Sequence, residues 1–306
     1  MLPALFIFLL HFLVRQLPDD RQMKPVEVAR VPSYSEGIVF DHAGNAYISH
    51  GKFISLISPE AEARIWAETG SPDGHKILAD GTHLVCDESQ HAVLHLDAMG
   101  KPLGKASAEC DGKPLWGPND LTLDPKGGFY FTDPGDSSKE KPIGTVHYVD
   151  AKGQTHLVSE GLAYPNGIVL RPDRRTLLVG ESGFNRILSY RVFEPGKVSP
   201  RQILATLPTK EGDQIDNQPD GMCLDEEGNL YIAHYGMHQV QVLDPEGKLL
   251  RRYPAGNLTV SNVAFGGPNM DQLYVTGGLG KEGQSEGALF RLDLKGTRGL
   301  AILPKR

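Results

Sequence analysis

The sequence is poor in cysteine, and what it has is unpatterned: Cys86, Cys110 and Cys223 form no C-x-x-C pair and leave one thiol over in any pairing scheme. A zinc knuckle and a disulfide framework are therefore not indicated, and the three read as small apolar packing residues. It lacks a basic surplus as well. The formal net charge is -7, with Lys and Arg spread thinly, so no footprint for nucleic acid exists. There is no low-complexity tract, and 23% charged with 40% hydrophobic residues describes a globular chain with ample core rather than a disordered one. Helical periodicity is almost absent, and no G-x-S-x-G segment offers a serine nucleophile. The one long apolar run, Leu2 to Val14, is too short to span a bilayer comfortably. It resembles the core of a secretion signal without a basic flank before it or a cleavage site before Pro18. Residues 1–22 are set outside the fold. Export of the chain and a true start at Met23, with a cytoplasmic product, both stand open.

What the chain does have is glycine and proline, 35 and 22 of them, scattered as turn residues between many short strands would be. It also has an internal repeat. Six units open at Glu36, Asp73, Asn119, Asn166, Asp220 and Asn262, with successive starts 37, 46, 47, 54 and 42 residues apart. That spacing is the length of one four-stranded propeller blade. Gly37 to Ile48 shows the plan: an alternating apolar strand, a turn at Asp41-His42-Ala43-Gly44, then a second apolar strand. Asp120 to Phe131 and Gly221 to Ile232 repeat it. The pattern predicts an all-β, six-bladed β-propeller of four-stranded antiparallel blades over residues 26–304, its ring closed by Val26 to Val31 completing the last blade.

Equivalent residues of six radial blades lie on a ring, so the six opening positions form one, and every one carries a side-chain oxygen. Asn or Asp before Gly also makes turns, which accounts for Asn166-Gly167 and Asp220-Gly221 but poorly for Glu36. About fourteen residues further on, a second set appears: His50, Asp87, Asp133, Glu181, His234 and Thr276. Two stacked polar rings at one mouth of the channel predict a pocket, and hard oxygen donors there suit Ca²⁺ first, with Mg²⁺, Mn²⁺ or Zn²⁺ as alternatives.

The segments Ser35-Glu36-Gly37, Gly117-Pro118-Asn119-Asp120, Tyr164-Pro165-Asn166-Gly167-Ile168 and Gln218-Pro219-Asp220-Gly221 resemble, in order and spacing, those of the regucalcin and gluconolactonase family of six-bladed lactonases. The resemblance runs from Val28 to Pro304. It implies that Glu36, Asn166 and Asp220 bind a catalytic divalent metal, with Asn119 as fourth ligand or substrate contact. It further implies that Asp133 matches a second, structural metal position, and that the substrate is a small lactone. Where the family places an arginine two residues before the third opening Asn, this chain has Gly117. Trp116 is expected to wall the substrate pocket, while Trp66 packs on a blade. His75 and His234, with His147, are candidates to shape the pocket, against the commoner role of a histidine in a β protein as a structural hydrogen-bonder. In the chemistry expected, the metal polarises a lactone carbonyl and activates water, Asp220 is both ligand and proton acceptor, and His234 or Asp133 stands in reserve. A hydrolase for a non-sugar lactone or phosphotriester and a non-enzymatic ligand-binding propeller are the alternative functions. A monomer or weak oligomer is expected, with no nucleic-acid partner and no stable membrane span.

Overall fold

A computed structural model describes residues 17–280 and 286–300; the apolar run at Leu2 to Val14 lies outside them. The expected architecture is present. Six antiparallel sheets stand in sequence around a channel, and the inner strand of each touches the inner strand of the next, the last touching the first. The inner strands are Ser35–Phe40, Pro72–Ile77, Leu121–Asp124, Pro165–Leu170, Gln218–Leu224 and Thr259–Gly266. The last sheet is built from Thr259–Gly266, Gln272–Gly278 and Gly287–Asp293, and its outer strand is Val26–Val31, paired antiparallel with Gly287–Asp293. The ring is thus closed by strand pairing between the two ends of the domain, which also covers a sheet edge.

The turn chemistry explains why these hairpins form where they do. In the first blade the Asp41 carboxylate accepts from the backbone N–H groups of Ala43 and Asn45, each at 2.9 Å, and Gly44 takes the positive φ of 85° that closes the turn. The Tyr47 hydroxyl then donates to Asp41 at 3.2 Å. Asp225 repeats this with Asn229 N–H and the Tyr231 hydroxyl at 2.8 and 3.1 Å, and Asp124 with the Tyr148 hydroxyl at 3.1 Å.

Alternation along each strand sends side chains to both faces of its blade, so the core is a series of layers between neighbouring blades. Tyr130, Leu162, Val179 and Tyr190 fill the layer between the third and fourth, and Tyr231, Tyr253, Val263 and Leu292 that between the fifth and sixth. Each such buried side chain contributes roughly 1.5–3 kcal/mol. All three cysteines are buried and free, as small apolar residues would be. Residues 17–22, placed with the apolar segment on sequence grounds, already lie with Met23 against the fifth blade. Arg251 donates to the carbonyls of Pro18 and Leu17 at 2.9 and 3.1 Å, the Tyr253 hydroxyl donates to Pro18, and Leu17 and Met23 pack on the core. Among the described residues no helix is long and apolar enough to cross a membrane.

Candidate active site at the channel mouth

In five of the six blades the inner strand shifts register across its opening residue. Pairing runs Ser35 with His50 and then Ile38 with Ile48, Pro72 with Asp87 and then His75 with Val85, and likewise at Pro165/Ile168, Pro219/Met222 and Val260/Val263. Each shift inserts one extra residue on the inner strand, a β-bulge, and a bulge re-aims the side chain it carries. The glycines after the opening residues belong to this device rather than to turns. Gly37, Gly74, Gly167 and Gly221 all lie within strands and none has positive φ. A Cβ on Gly37 would sit 2.1 Å from the Asp73 carbonyl oxygen, and one on Gly167 would sit 2.2 Å from that of Asp220. Glycine is required because adjacent inner strands meet there, backbone to backbone.

The bulges turn Glu36, Asp73, Asn166 and Asp220 into one cavity of about 830 Å³ at the channel mouth, and Asn119, in the loop before an inner strand without a bulge, joins them there. The sixth opening residue, Asn262, is buried instead, its Oδ1 accepting from Val263 N–H. Asn119 Nδ2 donates to Asp73 Oδ2 at 2.6 Å, which commits the amide nitrogen and leaves the carbonyl oxygen as its available group. Burial, then the Glu36 and Asp120 charges, push the Asp73 carboxyl well above the usual carboxylate range, and it shares a hydrogen bond with Glu36. Tyr164 lines the same space with φ 56°, a conformation that costs a non-glycine residue about 1–2 kcal/mol. Its N–H donates to Ser137 Oγ and its carbonyl accepts from Ser182 N–H, both at 2.9 Å. Burial and the nearby Asp73 and Asp220 charges raise the Tyr164 hydroxyl above its ordinary pKa, so it stays protonated.

Two observations bear on whether an ion fits. Asn166 is 7% exposed and its Oδ1 has no hydrogen-bond partner, an orphaned acceptor of the kind that a folded protein seldom leaves without reason. Around it carboxylates crowd together with no Lys or Arg among the described lining residues. Both features ask for positive charge, and a set of carboxylate and carboxamide oxygens suits a hard dication. Among the described residues no three of His, Cys, Asp or Glu converge as a metal cluster, so an ion here would rest on the carboxamides of Asn166 and Asn119 as well as on Glu36 and Asp220.

The second ring points elsewhere. Asp87 accepts from Gly70 and Ser71 N–H at 2.8 and 3.0 Å, and Glu181 accepts from Ala163 N–H at 2.9 Å and pairs with Arg186. Asp133, matched to a second metal position, accepts from Gly117 N–H at 2.6 Å and from Trp116 N–H at 3.0 and 3.1 Å. These carboxylates clamp the loop entering the inner strand of their own blade, and none of the three lines the cavity. Only His50 of this ring does, its Nε2 bonded to Ser55 Oγ at 2.8 Å.

Three residues expected to touch substrate are placed away from the cavity. His75 is fully buried between the first two blades, 2.7 Å from His83 through their ring nitrogens and stacked on Trp66. Regular alternation would put residues 73 and 75 on one face, but the bulge between Pro72 and His75 breaks it, so Asp73 turns to the mouth while His75 turns to the blade interface. His234 is fully buried and bonded to Asn185 Oδ1 at 2.9 Å. Trp116 is 55% exposed beside Gly135 but does not line the cavity, because Asp133 holds its backbone and directs it outward. Burial holds His83, His147 and His234 neutral, each lowered to about 4, and it lowers His75 well below the ordinary histidine range too.

Several cavity residues had no prior signal: Glu88, Tyr34 and Tyr235, the last two meeting edge to face at 6.5 Å. The residue one beyond each second-ring position would have found some of them. A strand alternates faces, so where Asp87 and His234 turn toward protein, Glu88 and Tyr235 turn to the cavity.

A protein-family model described as "SMP-30/Gluconolactonase/LRE-like region" matches residues 34–278. A pentonolactonase, XacC, of Haloferax volcanii is 33% identical over 192 residues, 58% of this chain and 63% of that protein, so the match spans less than two thirds of the relative. A lactonase, drp35, of Staphylococcus saprophyticus is 29% identical over 282 residues, 85% of this chain and 83% of its own. Among solved structures, a calcium-binding regucalcin from Agrobacterium tumefaciens superposes with a TM-score of 0.78 at 20% identity, covering 93% of this chain and 98% of its own; a likeness at that identity speaks to the fold.

Proposed function

This chain belongs to the SMP-30/gluconolactonase/LRE-like family, and we propose that it is a metal-dependent hydrolase that opens a small lactone in the cavity at the channel mouth. The observation that carries the reading is the Asn166 oxygen, buried and without partner in a cavity whose charged lining residues are all carboxylates among the described residues. Membership of a family described by gluconolactonase, and relatives named as lactonases, support the choice of ester.

Glu36, Asn166 and Asp220 would hold a divalent ion, Ca²⁺ first, with Asn119 as fourth ligand or as a contact to the substrate. Bound there, the ion would supply electrophilic polarisation of the lactone carbonyl and a lower pKa for a water beside it. Asp220 accepts the proton of the attacking water. A ligating carboxylate is a weakened base, and neither His234 nor Asp133 can relieve it: each is buried, bonded elsewhere and absent from the cavity. Asn119, fixed by its bond to Asp73, orients its carbonyl oxygen to a substrate hydroxyl or to the ion. Tyr164, Tyr34 and Tyr235 give the ring apolar walls with polar tips.

The test is metal content and aldonolactone hydrolysis by the purified protein before and after chelation, with spontaneous opening subtracted, for the wild type and Asp220→Asn. Bound divalent ion, activity lost on chelation and restored by metal, and a variant that is folded but slower by 100-fold or more are expected. A protein that binds no ion, or a variant whose loss of rate tracks loss of fold, refutes the mechanism. Turnover of a phosphotriester in place of any lactone would move the substrate and leave the ion.

A further inference from the structure

The cavity is lopsided in charge beyond what an ion needs. Besides Glu36, Asp73 and Asp220, three more carboxylates line it, and the described lining residues include no Lys or Arg. Two of those three have hydrogen-bond partners, though only Glu286 has a cationic one. Glu286 receives Arg30 at 3.2 Å, and Asp216 accepts from Asn217 N–H and Gln218 Nε2 at 2.8 and 2.9 Å. Glu88 is different: it is exposed to the cavity, forms no ion pair among the described residues, and stands one residue past Asp87, whose side chain is fully used on its own loop. Its position depends on Gly117. A Cβ at 117 would lie 2.9 Å from Glu88 Cγ and 3.8 Å from its Cα, so any larger residue there would displace the Glu88 side chain. Gly117 is in turn pinned by Asp133 at 2.6 Å. The Glu88 charge is felt by Asp73 and Tyr164 inside the cavity.

We propose that Glu88, seated over Gly117, sets the charge of the substrate: the site favours a lactone that carries a cationic group, accepts a neutral one less well, and disfavours an anionic one. The inference rests on the lactonase reading and names its substrate class. One dication offsets the charge of two carboxylates and Arg30 pairs with Glu286; Asp216 keeps its charge among neutral donors, and Glu88 adds a further charge that no hydrogen bond or cation takes up among the described residues. At a separation of about 6 Å and an effective dielectric of about 40, one unit of charge is worth about tenfold in an equilibrium constant. A cation and an anion at the same place are therefore separated by about a hundredfold.

The experiment compares kcat/KM for D-glucono-1,5-lactone, its 6-phosphate and its 6-trimethylammonio derivative, the last because a quaternary nitrogen cannot attack the ester itself. In metal-loaded wild type the order should be cationic, neutral, anionic, compressing as salt is raised. In Glu88→Gln the cation-to-anion ratio should fall by about a hundredfold, and in Glu88→Lys by about a hundredfold more. Glu62→Gln, which removes the same charge from an exposed turn of the first blade, should leave the ratio where it was. A wild type that opens these lactones without that order, or a Glu88→Gln enzyme that keeps the wild-type ratio, overturns the assignment while the lactonase reading stands. Failure to open any of the three, with an ion bound, overturns both.

Discussion

Asp133 separates two accounts of the same residue, because a metal ligand and a loop clamp fail differently when truncated. In Asp133→Ala, the Gly117 N–H, buried and bonded at 2.6 Å, loses its acceptor, and so does the Trp116 N–H at 3.0 Å. Hydrogen bonds to a charged group are worth about 1.5–3 kcal/mol each, and an orphaned buried donor costs about 1–3 kcal/mol. Two effects reduce the sum. Trp116 is exposed enough for water to reach its N–H, and burial, the largest influence on Asp133, raises its carboxyl above the usual range, so that removing the charge returns some desolvation energy. The net cost is about 2–4 kcal/mol, a fall of roughly 4–8 °C in Tm for a domain of this size. Asn should recover part of it, since one carbonyl oxygen can still take the Gly117 bond. The assay is thermal and urea unfolding of wild type, Asp133→Ala and Asp133→Asn, each with excess Ca²⁺ and with chelator. The clamp predicts the same loss in both conditions. If the variant matches wild type under chelation and lacks only the stabilisation that added metal confers, Asp133 is an ion ligand and the clamp is refuted.

Two other perturbations follow from the same structure. The buried neutral histidines make the fold acid-sensitive: His83, His147 and His234 sit near 4 against 6.5 in the unfolded chain, so their contribution is complete above about pH 6.5 and is lost as pH falls toward 4. At pH 5 each has forfeited about 2 kcal/mol; Asp120, Asp133 and Asp225, raised by burial, offset part of the sum. Urea midpoints under chelation should drop between pH 7.5 and 5, and a flat profile would dispose of the argument. Gly167→Ala should cost about 3 kcal/mol or more, as its Cβ falls on the Asp220 carbonyl, whereas Gly153→Ala meets nothing within 4 Å and should lose only about 1 kcal/mol for its φ of 81°; equal losses in the two variants would remove the close-approach explanation.

The repeat was legible because each blade solves the same problem with the same residues. A sheet buried on both faces needs short strands that are apolar toward both neighbours, and a hairpin needs Asp and Gly where Asp41-Gly44 and Asp225-Gly228 supply them. The opening residues were legible by type, five of six reaching the cavity. What could not be read was direction. A bulge has no local signature distinct from a turn, so Asn166-Gly167 and Asp220-Gly221 fit a turn reading until pairing showed them inside strands. Direction also decided His75, which is one blade position from the mouth and faces Trp66 instead. Glu88 was invisible for a further reason: its place depends on Gly117, 29 residues away in another blade's loop.

The two rings divide the work of the mouth, and their hydrogen bonding shows how. Asp87 takes four donors within its own blade, from Gly70, Ser71, Gln90 and Ser89, whereas Asn166 keeps a buried oxygen with none. A carboxylate so fully bonded has little left to offer a ligand, and its loss is felt as instability. An oxygen left unbonded costs the fold free energy that a ligand can return. The opening ring therefore contributes little to folding without its ion, and substitutions there should register in binding and turnover before they register in Tm, while substitutions in the second ring should do the reverse. That inversion follows from one extra residue in the inner strands that carry Glu36, Asp73, Asn166 and Asp220. The bulge leaves the clamps in register with their loops and frees the opening side chains to face the channel.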